Sequence, residues 1–168
     1  MCTNGLNCFF VNARSLLNNF KLEELHNYAI EHNLQIIGIA ETWLNSHVGD
    51  GEISINDFTM YRKDRSCVKL GKGGGVLLYI HNSLFSSACT ELNNFKSESI
   101  WCNVWLDKTT EIVIGVCYKS PNADVNEIDE LFQSIKESVK KQVIIVGNFN
   151  YPGINWSLLD SDYHGRNF

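Results

Sequence analysis

The chain has 168 residues and a formal net charge of −5, from 14 lysines and arginines against 19 aspartates and glutamates. This length fits one domain, and a composition of 44% hydrophobic and 20% charged residues is that of a globular protein and not of a disordered segment. The acidic balance excludes a polybasic protein that holds nucleic acid by bulk charge alone, although it leaves room for a local basic surface.

The lack of a recognisable targeting segment and the pattern of cysteines favour an intracellular protein that does not enter a membrane. No apolar run approaches the roughly 18 residues needed to cross a bilayer, and residues 1–5 (MCTNG) lack the basic and apolar regions of a secretory signal. The six cysteines are irregularly spaced and three of them lie in apolar runs. We therefore expect buried free thiols in a reducing compartment, and not three disulfides.

The first part of the chain predicts a strand, a helix and a second strand. Apolar runs at Leu6–Val11 and Ile36–Ala40 are typical of buried strands. Between them, apolar residues recur at helical spacing over Leu22–Ala29, and either Ser15 or Asn19 is available as the N-cap.

The rest of the chain predicts more strands and one long helix. The polar turn Asp107–Thr110 separates two apolar runs and indicates an antiparallel hairpin. The helix is predicted over Asp124–Lys141, where Asp124 and Glu127 have the spacing of a capping box. The remaining strands are predicted at Phe58–Tyr61, Val76–Ile80, Ser99–Leu106, Glu111–Tyr118 and Val143–Val146. The pattern indicates a strand-dominated α/β architecture with helices outside.

Polar residues stand at the ends of four predicted strands, where functional loops usually gather. They are Asn12, Glu41, Tyr118, and Asn148 with Asn150. Taken singly, each is more typical of a turn than of a ligand. Taken together, one carboxylate, a phenol and several amides suit a site for a hard cation and a phosphate.

Several motifs, in this order, resemble the endonuclease domain of LINE-type, non-LTR retrotransposons. They are VNARSLLNNFKLEEL, IIGIAETWLN, MYRKDRS with GKGGGVLLYI, SESIWCNVWL, VIGVCYKSPN and VIIVGNFNYPGINW. The resemblance runs from Leu6 to about Trp156 and places the chain with the endonuclease/exonuclease/phosphatase superfamily, which includes DNase I and the apurinic endonucleases. It implies an α/β (α+β) four-layer sandwich with two mainly antiparallel sheets. Residues 1–168 would then be a single domain that lacks its C-terminal part.

The resemblance also implies roles for the strand-end residues. Glu41 matches the acidic ligand of Mg²⁺ or Mn²⁺, and Asn12 matches the asparagine that helps to place both the metal and the phosphate. Tyr118 and Asn150 match groups that contact the phosphate. Such a set can stabilise the charge that develops during phosphodiester hydrolysis.

Two departures from the family pattern predict an impaired enzyme. Asn148 stands where the family motif Gly-Asp-x-Asn has the aspartate that orients and deprotonates the attacking water, and an amide cannot accept that proton. General-base assistance is typically worth about 10²–10⁴-fold in rate. The 168 residues also contain no adjacent Asp-His pair. Asp162 and His164 do not match the family's pair, which is adjacent and lies further along the chain.

One stretch of the acidic chain is basic, with only Asp64 opposing it. It is either a surface that contacts a phosphate backbone or a solvated loop, and the sequence favours neither. Its residues are Arg62, Lys63, Arg65, Lys69 and Lys72.

The sequence therefore predicts Mg²⁺-dependent hydrolysis of DNA phosphodiesters, weak or absent in this copy. The alternatives are a non-catalytic remnant that binds nucleic acid or a protein, and another phosphodiesterase or phosphatase of the same superfamily. The resemblance implies DNA as the partner, a nuclear location, and a reverse transcriptase domain in the full-length ancestor. The oligomeric state stays open.

Overall fold

A computed structural model describes residues 5–65, 73–151, 154–155 and 160–161. The strands are β1 (Cys8–Asn12), β2 (Ile36–Ala40), β3 (Phe58–Lys63), β4 (Val76–His81), β5 (Phe85–Ala88), β6 (Ser99–Trp105), β7 (Glu111–Tyr118), β8 (Val143–Asn148), β9 (Ile154–Asn155) and β10 (Asp160–Ser161). The helices are α1 (Asn19–Glu31), α2 (Thr90–Asn93) and α3 (Val125–Ser138), with a short 3-10 helix at Asp50–Glu52.

Two mixed four-stranded sheets form the centre of the molecule. The first has the order β1-β2-β4-β3 and the second the order β5-β6-β7-β8, while β9 and β10 pair with each other. In both sheets one pair is parallel, β1 with β2 and β7 with β8, and the other pairs are antiparallel. Parallel neighbours need a crossover, which α1 and α3 supply. The predicted α/β fold with mainly antiparallel sheets is confirmed.

The apolar side chains separate into three clusters that define four layers. One cluster lies between the two sheets and includes Leu78 and Val116. A second joins α1 to the outer face of the first sheet through Leu25 and Ile37. The third joins α2 and α3 to the outer face of the second sheet around Trp101, which is fully buried. Both faces of each sheet are thus covered, which explains the nearly continuous apolar runs of β2 and β7.

Side chains cap the first turns of α1 and α3 by accepting hydrogen bonds from backbone amides. Asp124 caps α3 by accepting a hydrogen bond from the Glu127 amide at 3.0 Å, as the sequence predicts, although the helix ends at Ser138. The predicted caps of α1 are wrong, because Asn18 accepts from the Phe20 amide at 3.0 Å. Ser15 instead accepts from the backbone just after it.

Some features were not predicted, and others lie outside the described residues. Strand β5 and helix α2 are absent from the prediction because their segment has few apolar residues. Of the cysteines in the described part, Cys8 is exposed, and Cys89, Cys102 and Cys117 are buried free thiols. No helix among the described residues is long and apolar enough to span a membrane. Four residues considered as site candidates from the sequence fall outside the described part, as does Trp156: they are Lys69, Lys72, Asp162 and His164.

Candidate functional site

The strand-end polar residues lie at the carboxyl ends of the two parallel pairs. Asn12 ends β1 and Glu41 directly follows its parallel neighbour β2. Tyr118 and Asn148 end β7 and β8, and they are register partners. The carboxyl ends of parallel strands meet at the same edge of a sheet, so each pair of strands brings two of these side chains together.

Asn12 and Glu41 contact each other directly. The Asn12 amide Nδ2 donates to Glu41 Oε1 at 2.9 Å, while Asn12 Oδ1 accepts from the Arg14 backbone amide at 3.2 Å. The second bond fixes the orientation of the amide group. Asn12 is therefore held in an orientation in which its side chain positions the Glu41 carboxylate.

Tyr118 joins the second sheet to this pair. It is only 6% exposed, and its pKa is raised by burial first and next by the nearby negative charge of Glu41. The Arg65 guanidinium carbon lies 5.7 Å from the centre of the Tyr118 ring, and the positive charge of Arg65 acts to lower the pKa of Tyr118. Tyr118 is consequently a neutral phenol near pH 7 and can donate a hydrogen bond to an anion.

Asn148 and Asn150 are tied to the end of β7. The Asn150 amide nitrogen donates to Asn148 Oδ1 at 3.2 Å, and its side-chain Nδ2 donates to the Lys119 carbonyl at 2.8 Å. The structure thus brings Asn148 beside Tyr118 and holds Asn150 through a backbone anchor. All four of the strand ends predicted from the sequence converge, whereas their chemical roles stay predictions.

Backbone strain gathers around the same edge. Seven non-glycine residues in the described part have positive φ, and five of them follow β1, β2 or β8: Arg14, Ser15, Glu41, Trp43 and Asn150. Conformations of this kind cost of order 1–3 kcal/mol each and persist where the surroundings hold them in place. Backbone bonds do so here, for example from the Ser15 amide to the Glu41 carbonyl at 2.8 Å. The edge is therefore preorganised.

Lys119 is a site residue that the sequence analysis did not single out. It is 7% exposed, its ammonium lies 4.3 Å from the centre of the Tyr151 ring, and burial lowers its pKa. Its position directly after Tyr118 at a strand end was the available signal. Its backbone bonds Asn148 and Asn150, and its ammonium lies over the Tyr151 ring.

The basic stretch is largely used within the protein. Arg62 bonds both carboxylates of Asp50 and Asp64, at 2.8 and 2.7 Å, and two backbone carbonyls. Lys63 donates to the Phe95 carbonyl at 2.5 Å, and burial lowers its pKa. These contacts favour a structural role for both side chains over the DNA contact proposed for them. Arg65 is likewise paired, with Glu98 at 2.8 Å. The DNA contact predicted for the five basic residues stays a prediction.

The donor set fits a weakly held hard cation. No group of three histidines, cysteines or carboxylates that could hold a metal occurs among residues 5–65 and 73–151. Mg²⁺, however, is often bound through one or two carboxylates, several waters and the substrate phosphate. Glu41 provides one such carboxylate, with the Asn12 side chain hydrogen-bonded to it.

The fold is similar to that of solved nucleases and phosphatases, among them an endonuclease/exonuclease/phosphatase family protein from Leptotrichia buccalis with a TM-score of 0.58 and 14% identity over 87% of this chain and 67% of that one. One such structure is the endonuclease domain of TRAS1, a telomere-specific non-LTR retrotransposon, with a TM-score of 0.64 and 15% identity over 96% of this chain and 66% of that one. An apurinic endonuclease from Archaeoglobus fulgidus has a TM-score of 0.56 and 11% identity over 89% and 59% of the two chains. A mannosyl-6-phosphatase from Bacteroides thetaiotaomicron has a TM-score of 0.58 and 13% identity over 91% and 68%.

These likenesses show the fold. The chain spans about two thirds of the length of the TRAS1 domain. No family model matches the sequence, and no curated protein matches it either. The predicted resemblance to the retrotransposon endonuclease fold is confirmed.

Proposed function

We propose that the strand-end site binds a phosphodiester of DNA and hydrolyses it slowly with the help of Mg²⁺. The observation that carries the proposal is the convergence of Asn12, Glu41 and Tyr118 from two different sheets, with Asn148 as the register partner of Tyr118. The likeness to a retrotransposon endonuclease domain and an apurinic endonuclease supports DNA as the substrate.

Each side chain has a separate task in this proposal. The Tyr118 phenol donates a hydrogen bond to a phosphate oxygen, and Asn12 holds the Glu41 carboxylate in place. Glu41 and Asn12 would hold Mg²⁺, which when bound supplies charge stabilisation for the phosphate. Lys119 adds positive charge at the same edge. These groups bind and orient a phosphodiester by charge-assisted hydrogen bonds.

Deprotonation of the attacking water is the weak step. Asn148 stands where a carboxylate would act as general base, and an amide can orient a water without taking its proton. The expected deficit is about 10²–10⁴-fold, the usual contribution of general acid–base catalysis. Slow turnover, and not loss of substrate binding, is therefore expected.

A plasmid-nicking assay tests the proposal. The 168-residue chain should nick supercoiled DNA slowly with Mg²⁺. EDTA should abolish the nicking because it removes the cation, and Glu41→Gln should abolish it because it removes the carboxylate that would hold the cation. Glu111→Gln is the matched control, since Glu111 is exposed at the opposite end of β7 and its loss should change nothing. Nicking as fast as that of the TRAS1 domain would overturn the proposed impairment. Nicking that persists in Glu41→Gln would exclude this site.

A non-catalytic role in binding nucleic acid is the second candidate, and Asn148 is the observation that favours it. In that case DNA binding would be salt-sensitive and indifferent to Glu41→Gln, and no nicking would be detected. Hydrolysis of small phosphate monoesters in place of DNA would instead favour a phosphatase, as the structurally similar protein from Bacteroides thetaiotaomicron is.

A further inference from the structure

Three consecutive glycines enclose an ion pair beside the strand-end site. Arg65 Nε donates to Glu98 Oε1 at 2.8 Å, and the Gly75 amide donates to Glu98 Oε2 at 2.8 Å. Gly73–Gly75 all have positive φ, and a Cβ on Gly74 would lie 2.3 Å from both Arg65 Nε and Glu98 Oε2. The glycine run, which does not match a phosphate-binding P-loop, is thus explained by the backbone's close passage along this pair.

Two donors at this position lack an acceptor. Within the described part of the chain, Arg65 Nη2 and Trp43 Nε1 are buried and have no hydrogen-bond partner. Both side chains surround Gly73, whose Cβ position lies 3.6 Å from Arg65 Nη1 and 3.7 Å from Trp43 Nε1. A buried donor without a partner is costly, and such donors are rare in folded proteins. Two of them belong to the side chains that contact one glycine, and an acceptor at this position would stabilise both.

The chemistry of the two donors selects the ligand. A guanidinium and an indole N–H can only donate, so the ligand is rich in acceptors and negatively charged. Glu98 engages Nε and leaves Nη2 of the planar guanidinium without an acceptor. Arg65 also lies over the Tyr118 ring, and Trp43 follows Glu41 by two residues. The ligand would therefore adjoin the strand-end site.

We infer that Trp43 and Arg65 form a second phosphate subsite, which holds a DNA phosphate neighbouring the one that Tyr118 contacts. The inference rests on the proposed function for the identity of the ligand as DNA. The subsite itself depends only on the two unpaired donors and the glycine cradle. Its contribution is to binding and positioning, so it needs neither the metal nor hydrolysis.

Fluorescence anisotropy with a short fluorescein-labelled DNA duplex in EDTA tests the subsite without catalysis. Trp43→Phe keeps an aromatic ring and removes the indole N–H donor. Arg65→Lys keeps a positive charge beside Glu98 and removes the planar guanidinium with its several N–H donors. Each should weaken binding about tenfold, the effect expected for one hydrogen bond to a charged group. Trp105→Phe is the matched control, because Trp105 ends β6 at the opposite end of the sheet, where its ring lies tilted against that of Phe85 with the centroids 5.0 Å apart.

Inorganic phosphate serves as a competitor that identifies the ligand's source. Phosphate should displace DNA from the wild-type chain and lose this effect in Trp43→Phe, a readout that a purely structural role would not move. If phosphate binding depends on both side chains while DNA binding does not, a small phosphate compound replaces DNA as the ligand and the DNA assignment is overturned. If Trp43→Phe and Arg65→Lys melt as the wild type does and bind both probes normally, the subsite is refuted.

The two proposals fail in different ways. If nicking depends on Glu41 while neither donor variant changes DNA affinity, only the subsite fails. If no nicking occurs but DNA affinity depends on Trp43 and Arg65, hydrolysis fails and the subsite stands.

Discussion

At the scale of single residues, the proposed chemistry of the strand-end site depends on Asn148. Its Oδ1 accepts a hydrogen bond from the Asn150 amide at 3.2 Å, a contact that an aspartate oxygen could make equally well. Asparagine and aspartate have nearly the same shape, so the local fold tolerates either. What differs is the negative charge and the ability to accept a proton. In the proposed mechanism an aspartate at this position would supply the carboxylate that accepts the proton of the attacking water.

Asn148→Asp is expected to increase nicking of supercoiled DNA by about tenfold or more, because it restores a general base whose usual contribution is about 10²–10⁴-fold. It should also tighten Mn²⁺ binding, since a second carboxylate joins Glu41. Initial nicking rates and a Mn²⁺ titration followed by electron paramagnetic resonance measure the two effects separately.

Asn126→Asp is the control for that change, because Asn126 is exposed on α3 and the same chemical substitution there should have no effect. A folded Asn148→Asp chain with wild-type nicking and unchanged Mn²⁺ affinity would show that the deficit does not originate at residue 148.

Sequence patterns identified the strand-end residues but not the use of the basic stretch. Asn12, Glu41 and Tyr118 are visible because each directly follows an apolar run. The roles of Arg62 and Lys63 depend on Asp50 and on the Phe95 carbonyl, which are distant in the chain. A charge count along the sequence cannot distinguish a solvated cation from one that is paired in this way.

At the scale of elements, periodicity and capping predicted most of the structure. α3 has one apolar stripe and a cap at Asp124, so both its existence and its start were correct. β5 was missed because FSSA is short and polar, and it is a strand only through pairing with β6. Elements that depend on their own residues were predictable, and those that depend on a neighbour were not.

The turn that leads into β4 provides a test at this scale. Gly74→Ala should destabilise the fold by at least about 2 kcal/mol, because the residue has a φ of +74° and its new Cβ would collide with Arg65 and Glu98. For a chain of this size that lowers Tm by roughly 4–8 °C. Calorimetry measures the change.

Gly51→Ala is the matched control for the turn, since a Cβ there meets nothing within 4 Å. Its Tm should stay close to that of the wild type. Equal melting of the Gly74→Ala and wild-type chains would mean that the glycine run does not hold the Arg65–Glu98 pair as described.

At the scale of the whole molecule, the two sheets repeat one construction. Each has a parallel pair joined by a helix, β1–α1–β2 and β7–α3–β8, and the carboxyl ends of these pairs carry the site. The sequence predicted both strand–helix–strand units but not how the sheets face each other. That arrangement depends on close packing, as at Gly38, where a Cβ would lie 2.9 Å from Val116. Periodicity alone does not contain such contacts.

The edges of the two sheets differ in how well they resist association. β3 carries Arg62 and Lys63, and β5 has four residues, and both features discourage pairing with another chain. β1 (CFFVN) and β8 (VIIVGN) have no charge and no proline, although each lies at an edge in the described part of the molecule. Uncharged strands rich in valine, isoleucine and phenylalanine favour intermolecular pairing.

We therefore expect the 168-residue chain to associate in a concentration-dependent manner through the edges of β1 and β8. Ile144→Lys should suppress this association, because Ile144 is 39% exposed on β8 and a lysine on an edge strand opposes pairing. Light scattering after size-exclusion chromatography gives the mass of the species.

Phe85→Lys is the discriminating control: Phe85 is 71% exposed on β5, so removing it lowers surface hydrophobicity without changing the β8 edge. Equal suppression by both variants would assign the association to apolar surface in general, and a monomeric wild-type chain at high concentration would show that these edges do not pair.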